Sequence, residues 1–175
     1  MSGFPRPFSR AATVAARIRP MVAADLDAVL DLEHDLFPED AWSPEMFADE
    51  MSQPAESRLY LVAERGPVRY DGSGEPLAGY AGVMFVPGGV SADVLTIAVA
   101  ADCWGHGIGS ALLGALIDAA RRQGCDEVFL EVRKDNPRAR GLYLRRGFVE
   151  IGIRKGYYQP ANVDAIVMRK DLRAS

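Results

Sequence analysis

The chain has 175 residues, of which 49% are hydrophobic and 25% are charged, and its formal net charge is -4. This is the balance of an ordinary globular protein, and the length suits one domain with a substantial core. The negative charge argues against a general nucleic-acid binder, which is usually basic. No apolar run approaches the roughly 20 residues that cross a bilayer, so we expect no membrane partner.

The cysteine and histidine content limits the possible chemistry. Cys103 and Cys125 are too few for a disulfide framework, so we expect free thiols in a reducing, cytoplasmic compartment. His106 lies three residues after Cys103, but no second pair of ligands accompanies them. The sequence therefore predicts no metal site.

The first 24 residues contain four arginines and no acidic residue. This composition is similar to that of an organellar transit peptide, but Pro5 and Pro7 interrupt any amphipathic helix there. We expect residues 1–16 to be a disordered extension, with a targeting segment as the alternative. The single domain is expected at 17–172, followed by a short tail at 173–175.

The first half of the domain predicts strands and helices in mixed order. A strand at 16–19 precedes a helix with three-four apolar spacing, which ends at Pro38. Ser43 and Pro44 are typical of the N-cap and first position of a second helix. Apolar runs then predict three strands, at 59–64, 77–86 and 93–99.

The segment CWGHGIGSALL, residues 103–113, has three glycines within five residues and leads into a helix that ends near Gly124. Bare backbone before a helix N-terminus favours an anion such as phosphate. Two familiar phosphate motifs do not match, because Ser110 replaces the third glycine of the dinucleotide fingerprint and no lysine follows Gly109. A plain helix-capping turn is the alternative.

The second half predicts a strand at 127–132 and a short helix that Asn136 caps and Gly147 ends. Two closing strands, 148–156 and 164–172, flank a loop with the sequence YYQPANV. The mixed order of elements predicts one three-layer α/β domain with a mostly antiparallel sheet.

Three segments together resemble the GCN5-related N-acetyltransferase (GNAT) family: LTIAVAADCWGHGIGSALLGALIDAA, LEVRKDNPRARGLYLRRGF and RKGYYQPANVDAIVM. The glycine motif alone is moderately specific, whereas the LEVR, Asn, LY and GF series followed by two tyrosines is much more so. Within the family, the chain is similar to bacterial enzymes that acetylate the amino-terminal alanine of ribosomal proteins. The resemblance covers about 17–172 and implies the GNAT fold, a splayed sheet flanked by helices, with acetyl-CoA as co-substrate.

The resemblance also implies which residues bind the coenzyme. Ten positions match: Ile97, Ala98, Val99, Gly105, His106, Gly107, Ile108, Gly109, Ser110 and Asn136. The first three correspond to a strand edge that hydrogen-bonds the pantetheine, the next six to the diphosphate loop, and the last to an asparagine near the coenzyme's arm. The family usually begins this loop with Gln or Arg, where this chain has Trp104. We expect altered rather than lost affinity, because backbone amides bind most of the phosphate.

Glu131 is the candidate catalytic base. The predicted strand places Val128, Leu130 and Val132 on one side and Glu131 on the other, and a carboxylate in so apolar a strand needs a reason. It matches the glutamate of LEVR, which the resemblance assigns as proton acceptor. A structural salt bridge to Arg133 is the alternative.

Tyr143 matches the proton-donating tyrosine of the family, and an ordinary core tyrosine is the alternative. A phenol of pKa ~10 does not readily protonate a thiolate of pKa ~8.5, so we expect a strong hydrogen bond that matures late into proton transfer. Neither Cys103 nor Cys125 has a base partner in the sequence, which argues against an acyl-enzyme.

Trp42, Tyr157 and Tyr158 are the candidate substrate-binding residues. The resemblance implies that the predicted hairpin loop, which carries both tyrosines, and the loop between the first helices, which carries Trp42, form a slot for an extended peptide. Exposed aromatic residues suit peptide binding. Simple hairpin packing is the alternative. The resemblance thus implies direct acetyl transfer in a ternary complex to a protein amino terminus, and in particular to the alanine of a small-subunit ribosomal protein. A lysine or small-amine acceptor and a non-catalytic acyl-CoA sensor remain alternatives, although a sensor has no need for an acid–base pair.

Overall fold

A computed structural model describes residues 16–39, 41–65 and 77–173. The extension predicted at 1–16 and the tail predicted at 173–175 therefore lie, apart from residues 16 and 173, outside the described residues. In the described part the longest helix has 15 residues, and no helix has the length and apolarity needed to cross a bilayer.

The described residues form a seven-stranded sheet with four α-helices. The strands are β1 (Arg17–Pro20), β2 (Arg58–Glu64), β3 (Leu77–Phe85), β4 (Ser91–Val99), β5 (Glu127–Arg133), β6 (Val149–Tyr158) and β7 (Val163–Asp171). The helices are α1 (Leu26–Leu36), α2 (Pro44–Met51), α3 (Ile108–Arg122) and α4 (Pro137–Arg145), with short 3-10 turns at Ala23–Asp25 and Ala101–Cys103. The strand order is β1-β2-β3-β4-β5-β7-β6, and β4–β5 is the one parallel pair among them. The predicted α/β architecture with a mostly antiparallel sheet is confirmed.

Local capping sets the ends of the helices where the sequence predicts them. The Ser43 hydroxyl accepts a hydrogen bond from the Met46 amide at 3.3 Å, which caps α2. The Asn136 side-chain oxygen accepts one from Ala139 at 3.1 Å, which caps α4. Gly124 follows α3 with φ of 77°, a conformation that glycine adopts without strain.

Neighbouring residues of β3 show that helices cover both faces of the sheet. A Cβ atom at Gly79 would lie 3.3 Å from Leu112 of α3. The next residue, Tyr80, points the other way and packs its ring 5.8 Å from that of Phe47 in α2. Leu112 and Phe47 are both fully buried, so the core lies on both sides of the central strands.

A bulge in β4 opens the middle of the sheet. Thr96 lies opposite Gly82 and Val94 opposite Val83, which leaves Leu95 without a partner on β3. A bulge bends its strand and increases its twist. The parallel pairing of β4 with β5 runs from Ser91 opposite Glu127 only as far as Val94 opposite Leu130, and beyond it the two strands separate. The resulting gap between 95–99 and 131–133 is the splayed opening that the resemblance implies.

The prediction that a loop spans 157–163 is wrong. Strand β6 continues through Tyr157 to Tyr158, which pairs with Val163, so the turn contains only residues 159–162. Aromatic residues favour strands, and the strand accommodates Gly156, at φ 57°, as an irregularity in register. The tyrosines are therefore fixed by strand pairing rather than carried on a loop.

Candidate active site

A cavity of about 170 Å³ lies in the opening between β4 and β5. Its lining comes from α1 and the segment after it, β4, β5, α4 and β6: Glu33, Phe37, Trp42, Val94, Leu95, Thr96, Ile97, Leu130, Glu131, Val132, Arg133, Asn136, Ala139, Tyr143 and Tyr158. Six of the residues singled out from the sequence thus meet at one site. Tyr157 is not among the lining residues and is 46% exposed.

Glu131 lies on the cavity wall because β5 alternates regularly. Val128, Leu130 and Val132 are buried on one face of the strand, and Glu131 lies partly exposed on the other. Its carboxylate forms an ion pair with Arg154 of β6 at 3.2 Å. Arg133, the partner considered from the sequence, bonds to both carboxylate oxygens of Asp135 at 3.0 Å. The ion pair of Glu131 is therefore a cross-strand contact at the open edge of the site.

Tyr143 is suited to donate a hydrogen bond rather than to ionise. It is 7% exposed, and burial raises the pKa of Tyr143 to about 12. Burial also raises the pKa of Tyr158, and the nearby Glu131 charge and Tyr143 phenol add to that effect. The two phenols therefore stay protonated at neutral pH beside the carboxylate.

Glu33 is a cavity residue that the sequence reasoning missed. It is 3% exposed, and its carboxylate accepts hydrogen bonds from the Tyr80 hydroxyl and, at 3.2 Å, from the Trp42 amide. The available signal was a carboxylate on the apolar face of the first helix. Because a buried carboxylate needs donors, Glu33 fixes the start of the segment that carries Trp42.

The glycine loop presents free amides before α3. Gly105 and Gly107 have φ of 80° and 82°, and a Cβ atom at either would meet nothing within 4 Å, so it is the backbone conformation that favours glycine. The first helical hydrogen bond runs from Ala111 to the Gly107 carbonyl at 2.9 Å. The amides of residues 108–110 consequently lack helical acceptors, and no side chain caps this helix.

Side chains around the loop also fit a phosphate ligand. The His106 Nδ1 atom is buried with no hydrogen-bond partner among the described residues. The Ser110 hydroxyl accepts a hydrogen bond from Arg146 at 2.8 Å, which brings a cation to the first turn of α3. An orphaned polar atom, free amides and a guanidinium are groups that a diphosphate can satisfy.

The thiols are not placed for chemistry. Cys103 and Cys125 are both free and buried, and burial raises the pKa of both. In the part of the chain that the structure describes, no group of three His, Cys, Asp or Glu side chains could hold a metal ion.

The family follows from a comparison with known sequences. Residues 26–148 match the model of the Acetyltransferase (GNAT) family, and the chain belongs to this family. It is therefore an N-acetyltransferase, which sets aside the alternative of a non-catalytic sensor.

Two individual relatives show a more specific similarity than the family model does. The chain is 36% identical over 162 residues to N-alpha-acetyltransferase RimI of Mycobacterium tuberculosis, covering 91% of this chain and 94% of that protein. It is 42% identical over 79 residues to the [ribosomal protein bS18]-alanine N-acetyltransferase of Escherichia coli, covering 44% and 53% of the two chains.

Solved structures agree on the fold. The ribosomal-protein-S18-alanine N-acetyltransferase from Escherichia coli superimposes with a TM-score of 0.75 at 30% identity, covering 90% of this chain and 94% of that one. Arabidopsis thaliana NAA60, solved in complex with acetyl-CoA, has a TM-score of 0.79 and covers 91% and 100% of the two chains. At 20% identity, that second likeness extends to the fold alone.

Proposed function

We propose that this enzyme transfers the acetyl group of acetyl-CoA to the α-amino group of a protein amino terminus, by direct transfer in a ternary complex. The observation that carries the proposal is the cavity between β4 and β5, which both Glu131 and Tyr143 line. Similarity to RimI and to bS18-alanine N-acetyltransferases supports the amino-terminal alanine of a small-subunit ribosomal protein as the acceptor. Such an acceptor would place the reaction in the cytoplasm.

The coenzyme would bind along the edge of β4 and across the loop. The separated edge at Ile97, Ala98 and Val99 can hydrogen-bond an extended pantetheine arm as a further strand would. The amides of residues 105–110 would receive the diphosphate at the N-terminus of α3. Asn136 uses its oxygen for the cap of α4, which leaves its NH2 group as a donor at the cavity. No metal is required for this binding.

In the reaction, Glu131 accepts a proton from the ammonium of the acceptor, directly or through a water. The neutral amine then attacks the thioester carbonyl, a C–N bond forms, and the C–S bond breaks as the thiolate leaves. Tyr143 donates a hydrogen bond to the departing sulfur that matures late into proton transfer, and the second proton that the attacking nitrogen loses as the amide forms restores the phenol. A phenol that stays protonated at neutral pH suits this role.

The acceptor preference follows from charge and from the residues that line the cavity. An α-amine has a pKa near ~7.8 against ~10.4 for lysine, so a single carboxylate suffices to keep it neutral. Trp42 and Tyr158 on the walls of the cavity, with Tyr157 outside, would flank the extended peptide. A lysine or a small amine is the competing acceptor.

A peptide panel with acetyl-CoA tests the proposal. Peptides that differ at residue one carry either a free or a blocked amino terminus, and one blocked set carries an internal lysine. We expect acetylation of free termini only, fastest for alanine, with mass spectrometry locating the acetyl group. Acetylation of blocked, lysine-containing peptides without reaction at free termini would overturn the choice of acceptor.

A further inference from the structure

Trp104 opens the glycine loop and is anchored to the strand before it. Its indole N–H donates a hydrogen bond to the Val99 carbonyl at 2.7 Å. The side chain is nevertheless 44% exposed, so one face of a large aromatic ring is held at the loop while open to solvent. A fixed, exposed indole at the edge of a ligand-binding loop can serve as a platform for another group.

Arg138 occupies that platform. The central guanidinium carbon lies 3.4 Å from the centroid of the Trp104 ring, a close stacking distance. Across residues 16–39, 41–65 and 77–173, no carboxylate forms a salt bridge with Arg138. Within those ranges its positive charge is therefore not neutralised, and its N–H groups remain available.

The geometry of α4 directs Arg138 toward the loop. Leu142 of this helix lies 3.4 Å from the position of a Cβ atom at Gly109, inside the first turn of α3. Arg138 precedes Leu142 by four residues, so both lie on the same face of α4. Arg138 thus lies one helical turn before Leu142, on the face of α4 that contacts the loop.

We propose that Arg138 is a binding residue for the coenzyme diphosphate and that Trp104 positions it. This inference rests on acetyl-CoA being the donor, as in the proposed function. A guanidinium presents a planar fork that matches two phosphate oxygens, and stacking limits its rotamers before the ligand arrives. Trp104 itself carries no charge. At the start of the loop it supports the guanidinium of Arg138, which comes from α4.

Calorimetric titration of three donors tests the role of Arg138. Relative to the native enzyme, Arg138→Gln is expected to weaken both acetyl-CoA and its 3′-dephospho form about tenfold, the loss typical of one charge-assisted hydrogen bond. S-acetyl-pantetheine, which lacks the diphosphate, is expected to change less than about twofold in a displacement titration, because the lost contact is absent from it. Arg138→Lys keeps the charge without the fork and is expected to fall between.

The matched control is Arg122→Gln, which removes the same charge at the far end of α3, about 20 Å along the helix from the loop. It is expected to leave all three affinities within about twofold. Equal losses for all three donors, no loss with Arg138→Gln, or a loss confined to acetyl-CoA over its dephospho form would each overturn the diphosphate contact. None of these outcomes bears on the peptide panel, so the proposed function can fail or stand separately.

A double-mutant cycle tests the platform. In the W104L background, the R138Q change is expected to weaken acetyl-CoA binding less than about threefold, because the guanidinium is no longer held at the loop. W104F keeps an aromatic face without the N–H donor and is expected to retain most of the coupling. A full tenfold effect of R138Q in the W104L background would show that Trp104 does not position Arg138.

Discussion

The cavity has two unlike walls, each with one carboxylate. On the α1 side, Glu33 is buried and held by the Tyr80 hydroxyl and the Trp42 amide, both neutral donors. On the β5 side, Glu131 is partly exposed and meets Arg154, whose side chain is 56% exposed. Exposed ion pairs are weak and exchange partners easily, whereas buried hydrogen bonds fix position. The first wall therefore sets shape, and the second carries the group that can exchange a proton.

The largest effect is expected from a substitution on the β5 side of the cavity, at Glu131. Glu131→Gln is expected to lower kcat about a hundredfold near pH 7, the usual contribution of a general base. The loss grows at lower pH, where more of the acceptor is protonated, and shrinks toward pH 9, while acetyl-CoA affinity stays near normal. A rate profile from about pH 6 to pH 9 measures this.

The control for that variant is Arg154→Gln, which removes the ion pair but keeps the carboxylate. Its kcat is expected to stay within about threefold of the native enzyme, since exposed pairs contribute little. A Glu131→Gln enzyme with an undiminished rate across the whole pH range would exclude Glu131 as the base.

Tyr143→Phe tests the proposed role of Tyr143, which also lines the cavity. We expect kcat to fall about tenfold to thirtyfold, because the departing sulfur loses its hydrogen bond. The affinity for acetyl-CoA, measured by calorimetry, is expected to change little since the ring and its packing on Phe148 remain. An unchanged kcat would mean that Tyr143 is a core tyrosine only.

A substitution on the α1 side of the cavity, at Glu33, should affect peptide binding more than the chemical step. Glu33→Gln retains the size of the side chain but sets an NH2 group against the Tyr80 hydroxyl or the Trp42 amide, so Trp42 is held less firmly. We expect the KM for the acceptor peptide to rise about fivefold, with kcat within about twofold. Tyr80→Phe, which removes one donor, is expected to give a smaller change of the same kind. A loss of kcat at constant KM would place Glu33 in the chemical step instead.

The smallest effect concerns alkaline stability. Burial raises the pKa of Tyr143 to about 12, above the ~10 of an exposed phenol. Above pH 10 the unfolded chain releases this proton while the folded chain keeps it, so stability falls as pH rises. Between pH 10 and pH 11, Tyr143→Phe is expected to lose about 1 kcal/mol less than the native protein in urea unfolding. Parallel pH dependences would contradict the shift.

Local signals in the sequence predicted most of the fold. The caps at Ser43 and Asn136 and the glycine after α3 depend on neighbouring residues only, and the structure places them as expected. The predicted strand ends at Gly156, a residue type that favours turns, and so leaves Tyr157 and Tyr158 in the loop. Pairing with β7 overrides that local preference, which no short-range pattern reports.

The sequence predicted which residues belong to the candidate site better than it predicted the contacts between them. Glu131 and Tyr143 were found through motifs, and strand alternation gave the face on which Glu131 lies. Its partner Arg154 comes from a strand 23 positions further along the chain, so the pairing depends on long-range register. The burial of Glu33 and the stacking of Arg138 on Trp104 likewise need the packed helices.

In the described part of the chain, the ladder between β4 and β5 that joins the two halves of the sheet has four residue pairs, from Ser91 with Glu127 to Val94 with Leu130. A coenzyme lodged in the gap would act as a cross-link between those halves, and at a hundred times its Kd it would add about 2.7 kcal/mol to stability. The melting temperature and the exchange of amide hydrogens along the separated edge of β4 would then follow the acetyl-CoA concentration. The supply of this metabolite would thus govern how long the enzyme survives as well as how fast it works.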